Sequence, residues 1–315
     1  MSTVTDILAS EYGALTERCG LVDRSERGKL ALTGGEAREF LHGQVSNDIE
    51  ALAPGQGCYA AFLTPKGKML GDLRVLNLGD ELFLDTERVS LQALFNMIRR
   101  YKLGRDVELH KRTLERGLLS LVGPAAREAA GAEALATQEH ANAAAEIAGV
   151  PVRLVATAGG VDLICDGGRT ADLKGALGLP EVSEAAAEVV RVESGRSRYG
   201  LDLDDSVIPQ EAGLNERAVS FTKGCYVGQE TVARLYYRGK PNRHLRGLRL
   251  SEPAATGAVL RFGEREVGRL GSSVVSPALG PIGLAIVRRE AVPGDTVSVG
   301  DAGTTATLLG LPFPE

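Results

Sequence analysis

The sequence predicts an α+β protein that ends in a small all-β unit. Up to about residue 240, short strand-like runs alternate with stretches of helical periodicity. From His244 onward, short alternating apolar segments are separated by glycine and proline, which is typical of a small barrel or sandwich. We therefore expect an α+β region of two subdomains over residues 1–240 and a C-terminal β-barrel over 241–315, joined within 237–244.

The elements of the first region follow from hydrophobic spacing and turn signals. A strand is expected at Lys29–Leu32, then a glycine turn and a helix over residues 36–44. The stretch CYAAFLTPKGKMLGDLRVLNLGDELFLDT (58–86) reads as successive strands. The next segment, SLQALFNMIRRYKL (90–103), has apolar residues near helical spacing, which predicts an amphipathic helix with a basic outer face.

Further along, the Ala-rich stretch Ala125–Ala148 is predicted to be helical, with a division at Gly131. The runs VRLVAT and VDLIC that follow are strand-like and are joined by an Ala-Gly-Gly turn. A helix capped by Ser183 is predicted to close near Gly195.

Charge and composition exclude several classes of function. The 36 basic and 41 acidic residues give a net charge of −5, so no direct nucleic-acid partner and no anionic membrane surface are expected. No apolar stretch reaches the length of a membrane helix, and the N-terminus lacks the features of a secretory signal. Neither the histidines nor the cysteines have metal-ligand spacing, so we predict no metal site and a reduced, cytoplasmic compartment. The four cysteines are Cys19, Cys58, Cys165 and Cys225.

The segment FTKGCYVGQE (221–230) places Cys225 in a polar cluster. From the residues alone, this cysteine is a core residue, a metal ligand, a nucleophile or a redox thiol. Lys223 brings a cation within two positions, and Gly224 permits a close backbone approach. Both features favour the thiolate, the reactive form of cysteine. We therefore take Cys225 and Lys223 as candidate functional residues.

Four segments follow one another along the chain: GLVDRSERGKLALTGGEAREFLHGQVSNDI, LTPKGKMLGDLRV, RVESGRSRYGLDLDDSVIPQEAGL and KGCYVGQE. Their order resembles the glycine-cleavage T-protein (aminomethyltransferase) superfamily, and more closely its YgfZ-type folate-binding branch, which is associated with iron–sulfur enzymes. The resemblance spans nearly the whole chain, and KGCYVGQE is its most specific part. It implies a multi-lobed, aminomethyltransferase-like folate-binding fold around a central channel.

The resemblance also implies a ligand, tetrahydrofolate or a one-carbon derivative, and residues that hold it. A carboxylate at Glu193 suits a pterin, because it accepts hydrogen bonds from both a ring N–H and the exocyclic amine. Without the resemblance, Glu193 would be interpreted as a solvated residue at a helix end. The other folate contacts expected are Asn47, Asp72, Tyr199, Tyr226, Gln229 and Arg234.

Positions 71 and 72 depart from the pattern of the superfamily. Aminomethyltransferases carry two adjacent aspartates here, whereas this chain has Gly71 and Asp72. Adjacent strand residues point to opposite faces, so Asp72 is not a simple substitute for an aspartate at 71. General acid–base catalysis needs a carboxyl within hydrogen-bond reach of the proton that moves. The substitution therefore counts against aminomethyl transfer, and Asp72 is otherwise interpreted as a polar residue of a turn or strand end.

Two functions follow from these observations. The sequence favours a tetrahydrofolate-binding accessory protein, with folate and iron–sulfur client enzymes or assembly proteins as partners, that uses Cys225 in cluster assembly, repair or maintenance. The alternative is an enzyme, a folate-dependent aminomethyl or one-carbon transferase or demethylase. A purely structural partner protein ranks third. The sequence leaves open the clients, the one-carbon state of the folate, the oligomeric state and the chemistry of Cys225.

Overall fold

The structure, a computed structural model, describes residues 2–313. It contains two five-stranded sheets and a closed six-stranded barrel, which confirms the α+β class and the C-terminal barrel. The helices are α1 (Ser2–Glu17), α2 (Ala37–Gln44), α3 (Leu91–Tyr101), α4 (Ala126–Ala129), α5 (Thr170–Leu177), α6 (Glu184–Glu193), α7 (Asn215–Ala218) and α8 (Gln229–Arg238). The strands of the two sheets are β1 (Gly20–Asp23), β2 (Gly28–Thr33), β3 (Gly57–Leu63), β4 (Met69–Asn77), β5 (Leu82–Thr86), β6 (Glu108–Lys111), β7 (Arg116–Val122), β8 (Asn142–Ile147), β9 (Val150–Thr157) and β10 (Gly160–Asp166).

The first sheet has the order β3-β4-β5-β2-β6, with antiparallel pairing throughout. Its strands and the helices α2 and α3 share one apolar core, in which Phe40, Phe62 and Ile98 are at most 2% exposed. The alternation in this sheet leaves its other face for polar residues of β4 and β5. The strands and helices predicted for this region are confirmed.

The second sheet has the order β1-β7-β10-β9-β8 and is also antiparallel. The helix predicted over Ala125–Ala148 is wrong: only the short α4 forms, and β8 pairs with β9 instead. Ala148 (φ 48°) and Gly149 (φ 76°) form the two-residue loop of this hairpin. Pairing with β9 therefore overrides the helix propensity of alanine, which is a weak local preference.

Helix α6 lies between α1 and the barrel. The hydroxyl of Ser183 accepts a hydrogen bond from the Ala186 amide, so the predicted N-cap is confirmed. One side of α6 packs against α1 through Leu15, Ala186 and Ala187. Val192 lies in a second apolar cluster with barrel residues. This position makes α6 a wall shared by the barrel and the rest of the molecule.

The barrel closes in the order β11-β14-β13-β12-β15-β16, around an interior of buried aliphatic side chains. Its strands are β11 (Arg243–Leu250), β12 (Val259–Phe262), β13 (Arg265–Ser276), β14 (Gly280–Arg288), β15 (Thr296–Val299) and β16 (Thr304–Leu309). The barrel begins at Arg243, and the division of the chain at residue 240 stays a prediction. Within residues 2–313, no helix has both the length and the apolar character that a membrane crossing requires.

Candidate functional site

A cavity of about 340 Å³ lies between the polar faces of the two sheets and is closed on one side by α6. Seven arginines and six carboxylates line it, so positive and negative charges nearly balance in its wall. Buried charges are tolerated only when they are paired and hydrogen-bonded. The pairing of these groups therefore determines which of them remain free to meet a ligand.

The arginines Arg27 and Arg74 join three carboxylates into one chain of alternating charges. Arg27 Nε lies 2.7 Å from Asp85 Oδ1, and a guanidinium nitrogen of the same residue contacts Glu87. Arg74 Nη2 lies 2.7 Å from Asp85 Oδ2, and its Nη1 lies 2.6 Å from Asp162 Oδ2. Burial alone would raise the pKa of Asp85, but the two guanidinium groups hold it below its usual value. Because Asp85 belongs to the first sheet and Asp162 to the second, this chain of charges joins the two sheets.

Asp72 is the cavity carboxylate that no arginine contacts by a hydrogen bond among the described residues. The Tyr59 hydroxyl donates to its Oδ2 at 2.6 Å. Burial raises the pKa of Asp72 to about 6, although the Tyr59 hydrogen bond opposes this rise. Asp72 lies within β4 and is 5% exposed, so its interpretation as a turn or strand-end residue is wrong.

Gly71 and Asp72 point to opposite faces of the strand, as their adjacency requires. A Cβ at Gly71 would lie 2.6 Å from the Phe62 ring and 2.7 Å from Ser90 Oγ, on the packed side of the sheet. Asp72 is on the cavity side. An aspartate at position 71 would not face the cavity, and the Asp72 carboxylate does. The glycine at 71 is therefore no argument against acid–base chemistry in the cavity.

Glu139 and His140 form a further polar corner of the cavity. Burial alone would raise the pKa of Glu139, but the hydrogen bond from Arg196, at 2.6 Å, outweighs it and the pKa is lowered to about 2. Burial, with a contribution from Arg74, lowers the pKa of His140 to about 4, so this imidazole is neutral at pH 7. His140 also has a left-handed backbone, with φ 72°. Sequence reasoning missed both residues, because neither belongs to a motif.

Of the predicted folate contacts, Asp72 and Tyr199 line the cavity. The Tyr199 hydroxyl lies 3.5 Å from the Met69 carbonyl oxygen, and burial raises the pKa of Tyr199 to about 12. Asn47 supports the wall instead of lining it. Its Nδ2 donates to the Tyr59 carbonyl at 2.8 Å and to the Arg217 carbonyl at 3.3 Å.

Glu193 lies outside the cavity. The residues of α6 that line it, among them Glu184, Ala187 and Arg191, occupy one helical face. The Glu193 carboxylate instead accepts hydrogen bonds from the Tyr12 hydroxyl, at 3.1 and 3.2 Å, and from the Ser276 hydroxyl. A pterin contact by Glu193 stays a prediction.

The ammonium group of Lys223 forms its hydrogen bonds with backbone carbonyl groups and not with the thiol of Cys225. Its Nζ donates to the carbonyl oxygens of His42, Val45 (2.8 Å) and Asn47 (2.9 Å), which uses all three ammonium protons. Burial lowers the pKa of Lys223 to about 8. Lys223 therefore holds the end of α2 and the chain after it, whereas Cys225 is exposed to solvent.

The rest of KGCYVGQE anchors the loop. Tyr226 is 7% exposed and packs in an apolar cluster with Leu63 and Met69. Gly228 caps α8 with φ 85°, and a Cβ there would lie 2.6 Å from the Thr64 carbonyl oxygen. Only glycine fits this approach. The remaining two predicted contacts, Gln229 and Arg234, belong to α8, and neither lines the cavity; Arg234 borders a shallow groove along α8.

Comparison with known proteins agrees with this architecture. A sequence profile of the GCVT N-terminal domain matches residues 1–159, which is half of the chain. The chain belongs to the GCVT family. A profile of the CAF17 C-terminal beta-barrel domain matches residues 243–310. A GCVT region followed by a CAF17-type barrel is consistent with the YgfZ-type branch.

Individual GCVT relatives cover most of the chain. It is 30% identical to an aminomethyltransferase of Thermotoga petrophila, covering 96% of this chain and 88% of that protein. It is 28% identical to a chloroplastic protein of Arabidopsis thaliana, with coverages of 89% and 68%. Because that relative is chloroplastic, the cytoplasmic location stays a prediction.

A solved structure confirms the fold. The glycine cleavage system aminomethyltransferase T from Bartonella henselae superposes with a TM-score of 0.86, at 24% identity, over 97% of this chain and 89% of that one. The chain therefore has the multi-lobed aminomethyltransferase-like fold that the sequence predicted.

Proposed function

We propose that this protein binds a reduced folate in the charged cavity and supports iron–sulfur client enzymes through the exposed thiol of Cys225. The observation that carries the folate part is that three buried carboxylates, Asp72, Asp85 and Asp162, line one cavity. A reduced pterin presents several N–H donors, and ionised carboxylates are the side chains that accept such bonds most strongly.

The cavity suits such a ligand in size and in chemistry. Its volume of about 340 Å³ lies at the lower end of the range of small-molecule sites, about 300–1,000 Å³. Tyr59 and Tyr199 offer ring surface to a pterin. Arg24, Arg196 and Arg198 are partly exposed (26–33%), and such arginines suit the carboxylates of a folate tail.

Equilibrium binding of tetrahydrofolate, measured by calorimetry under anaerobic conditions, tests the folate part. We expect saturable binding to the wild type, weakened at least about tenfold by Asp162→Asn, because an amide replaces a charged acceptor. The exposed barrel variant Asp301→Asn (side chain 92% exposed) is the matched control. Failure of the wild type to bind would refute this part of the proposal.

The same binding measurement on Glu193→Gln shows whether Glu193 or Asp162 is the carboxylate that contacts the pterin. If this variant loses binding and Asp162→Asn does not, the ligand contacts α6 beside Tyr12, as the sequence resemblance implies. If Asp162→Asn loses binding alone, the pterin contact belongs to the cavity wall.

The iron–sulfur part is supported by the resemblance of residues 223–230 to the YgfZ-type branch and by the exposure of Cys225. A stable cluster usually needs four ligands, so a single thiol would act together with groups of a client protein. Complementation of cells that lack their own copy tests this role through iron–sulfur enzyme activities. We expect rescue by the wild type and by Cys165→Ala, and no rescue by Cys225→Ser. Full rescue by Cys225→Ser would show that the Cys225 thiol is not needed to support iron–sulfur enzymes.

A second candidate function, a folate-dependent transferase or demethylase, is favoured by Asp72. A cavity carboxyl with a pKa of about 6 is suited to acid–base catalysis near neutral pH. The assay is transfer of a one-carbon unit from an aminomethyl or N-methyl donor to tetrahydrofolate. Turnover by the wild type that is lost in Asp72→Asn would establish an enzyme. Absence of turnover with all such donors would leave the accessory role.

A further inference from the structure

Tyr59 and Asp72 form a hydrogen-bonded pair inside the cavity. They lie on the neighbouring antiparallel strands β3 and β4, where Ala61 is directly opposite Asp72 and Tyr59 is diagonal to it. The distance of 2.6 Å between the phenol oxygen and Oδ2 is in the range of a hydrogen bond from a hydroxyl to a carboxylate. Both residues line the cavity, so a ligand there would meet the pair and not Asp72 alone.

The tyrosine is itself fixed from two sides. The Arg217 guanidinium lies over its ring, 5.0 Å from the centroid. The Asn47 side chain donates to its carbonyl oxygen at 2.8 Å. The phenol is therefore held in one direction by groups that do not touch Asp72.

We propose that Tyr59 is a positioning residue: its phenol keeps Asp72 in the ionised, proton-accepting form and directs the carboxylate toward a ligand in the cavity. This inference rests on the proposed function, since the ligand is the folate assigned to the same cavity. It goes beyond that assignment because it gives one hydroxyl group control over the protonation of Asp72.

The groups around Asp72 show why the phenol has this control. Burial is the largest influence and raises the pKa of Asp72, and the carboxylates Glu87 and Asp85 raise it further. The Tyr59 hydrogen bond and the Arg27 guanidinium lower it, and the hydroxyl of Tyr199 also interacts electrostatically with Asp72. Arg27 is already bonded to Asp85 and Glu87, so among the described residues Tyr59 is the side chain that donates a hydrogen bond to the Asp72 carboxylate.

The variant Tyr59→Phe isolates this effect. It keeps the ring and its contact with Arg217 and removes only the oxygen that donates to Asp72. Without that donor, burial and the two nearby carboxylates act against Arg27 alone. We expect the pKa of Asp72 to rise by about one to two units, since a hydrogen bond to a charged group has about that strength. The carboxyl would then be between about half and nine-tenths protonated at pH 7.

A ¹³C NMR titration of the protein labelled at the aspartate carboxyl carbon measures this shift. The Asp72 signal is identified by its absence in Asp72→Asn. The expected result is a midpoint near 6 in the wild type and a midpoint clearly above it in Tyr59→Phe. Tyr101→Phe removes a hydroxyl from an exposed tyrosine on α3 and should leave the midpoint unchanged. Equal midpoints in the wild type and Tyr59→Phe would overturn the proposal.

A measurement on the wild type keeps the proposal testable if Tyr59→Phe fails to fold. The phenol ¹³Cζ signal of Tyr59 should shift with the same midpoint as Asp72, because the two groups share a hydrogen bond. A Tyr59 signal that is unaffected between pH 4 and pH 8 would refute the pair.

The pH dependence of tetrahydrofolate binding separates this inference from the folate proposal. If the wild type binds, its affinity should fall as Asp72 is protonated, and Tyr59→Phe should move that fall to higher pH. If the wild type does not bind, the folate proposal fails, while the NMR titrations still decide the role of Tyr59.

Discussion

The cavity wall and the Cys225 loop differ in where their chemistry and their sequence signals lie. In the cavity, charged side chains from distant parts of the chain are buried against one another, and no continuous segment contains both members of a pair such as Arg74 and Asp162. In the loop, eight consecutive residues form a specific motif, yet Lys223, Tyr226 and Gly228 anchor or pack the chain, and the thiol of Cys225 is exposed. A motif that identifies a family is therefore not a list of reactive groups.

The loop shows why such a motif can be structural. Lys223 is needed for the carbonyl groups that it binds, and Gly228 for its left-handed backbone and its close approach to Thr64. These demands specify residue types as strictly as a reaction does. The cavity, in contrast, requires charges that match their neighbours in space and not in sequence.

The largest expected difference between the two regions concerns Arg74. Arg74→Met roughly keeps the volume but leaves the buried Asp162 without its arginine and Asp85 with Arg27 alone, which should lower the free energy of unfolding by about 3–5 kcal/mol. Urea unfolding at pH 7 measures this loss. Arg269→Met is the control, since its side chain is 61% exposed, and we expect a change within about 0.5 kcal/mol. Equal effects of the two variants would contradict the importance of the buried chain of charges.

The next effect concerns Asp72 and depends on pH. Its pKa rises from 3.8 to about 6 on folding, so the native state binds its proton more tightly and loses stability as the pH rises through this range. Two units correspond to roughly 3 kcal/mol. Relative to the wild type, Asp72→Asn should therefore be more stable at pH 8 than at pH 4 by up to about that amount. Thermal unfolding at both pH values tests this expectation, and a pH-independent difference would refute it.

A smaller effect is expected for Lys223→Met, which separates the anchoring role of the ammonium group from a role in thiol reactivity. The variant removes the donor from three carbonyl groups, so unfolding should become easier by about 1–3 kcal/mol. Alkylation of Cys225 in the native protein should change by less than about twofold, because the ammonium group does not bind the sulfur. A rate that falls tenfold or more would restore Lys223 as an activating residue.

The smallest effect is expected for Cys225→Ser. An exposed side chain contributes little to packing, so the free energy of unfolding should change by no more than about 0.5 kcal/mol. Cys165→Ser is the matched comparison, because that thiol is 2% exposed in an apolar core, and a new hydroxyl there should lower stability by about 1–3 kcal/mol. A large loss for Cys225→Ser would mean that the loop is packed more tightly than this structure shows.

Elements with strong local signals could be predicted from the sequence. The cap at Ser183, the amphipathic helix α3 and the barrel strands all formed as expected. The Ala-rich segment was misread, because the hairpin of β8 and β9 turns at Ala148-Gly149 and lacks the Asn-Gly or Asp-Gly pair that usually marks such a turn. Its strand pairing is a tertiary effect that residue propensity does not contain.

The charged residues of the cavity were harder to predict from the sequence. Arg74, Asp85 and Asp162 come from three strands of two sheets, and only the fold brings them together. One signal was available: each is a charged residue inside an otherwise apolar strand. Charged side chains are almost never buried unless they are paired. Such positions predict buried partners, although the identity of the partners requires the structure.

The chain of charges that joins the two sheets also limits how this sequence can change over time. Arg74 and Asp162 are 88 positions apart, yet a neutral residue at 74 leaves Asp162 without its arginine, and a neutral residue at 162 leaves Arg74 with Asp85 alone. We therefore expect substitutions at these sites to be tolerated best as matched sets, in which Arg74 and Asp162 are replaced together. A chimera that takes its second sheet from a relative inherits the same condition: the segment around residue 162 must be transplanted together with its counterpart at residue 74.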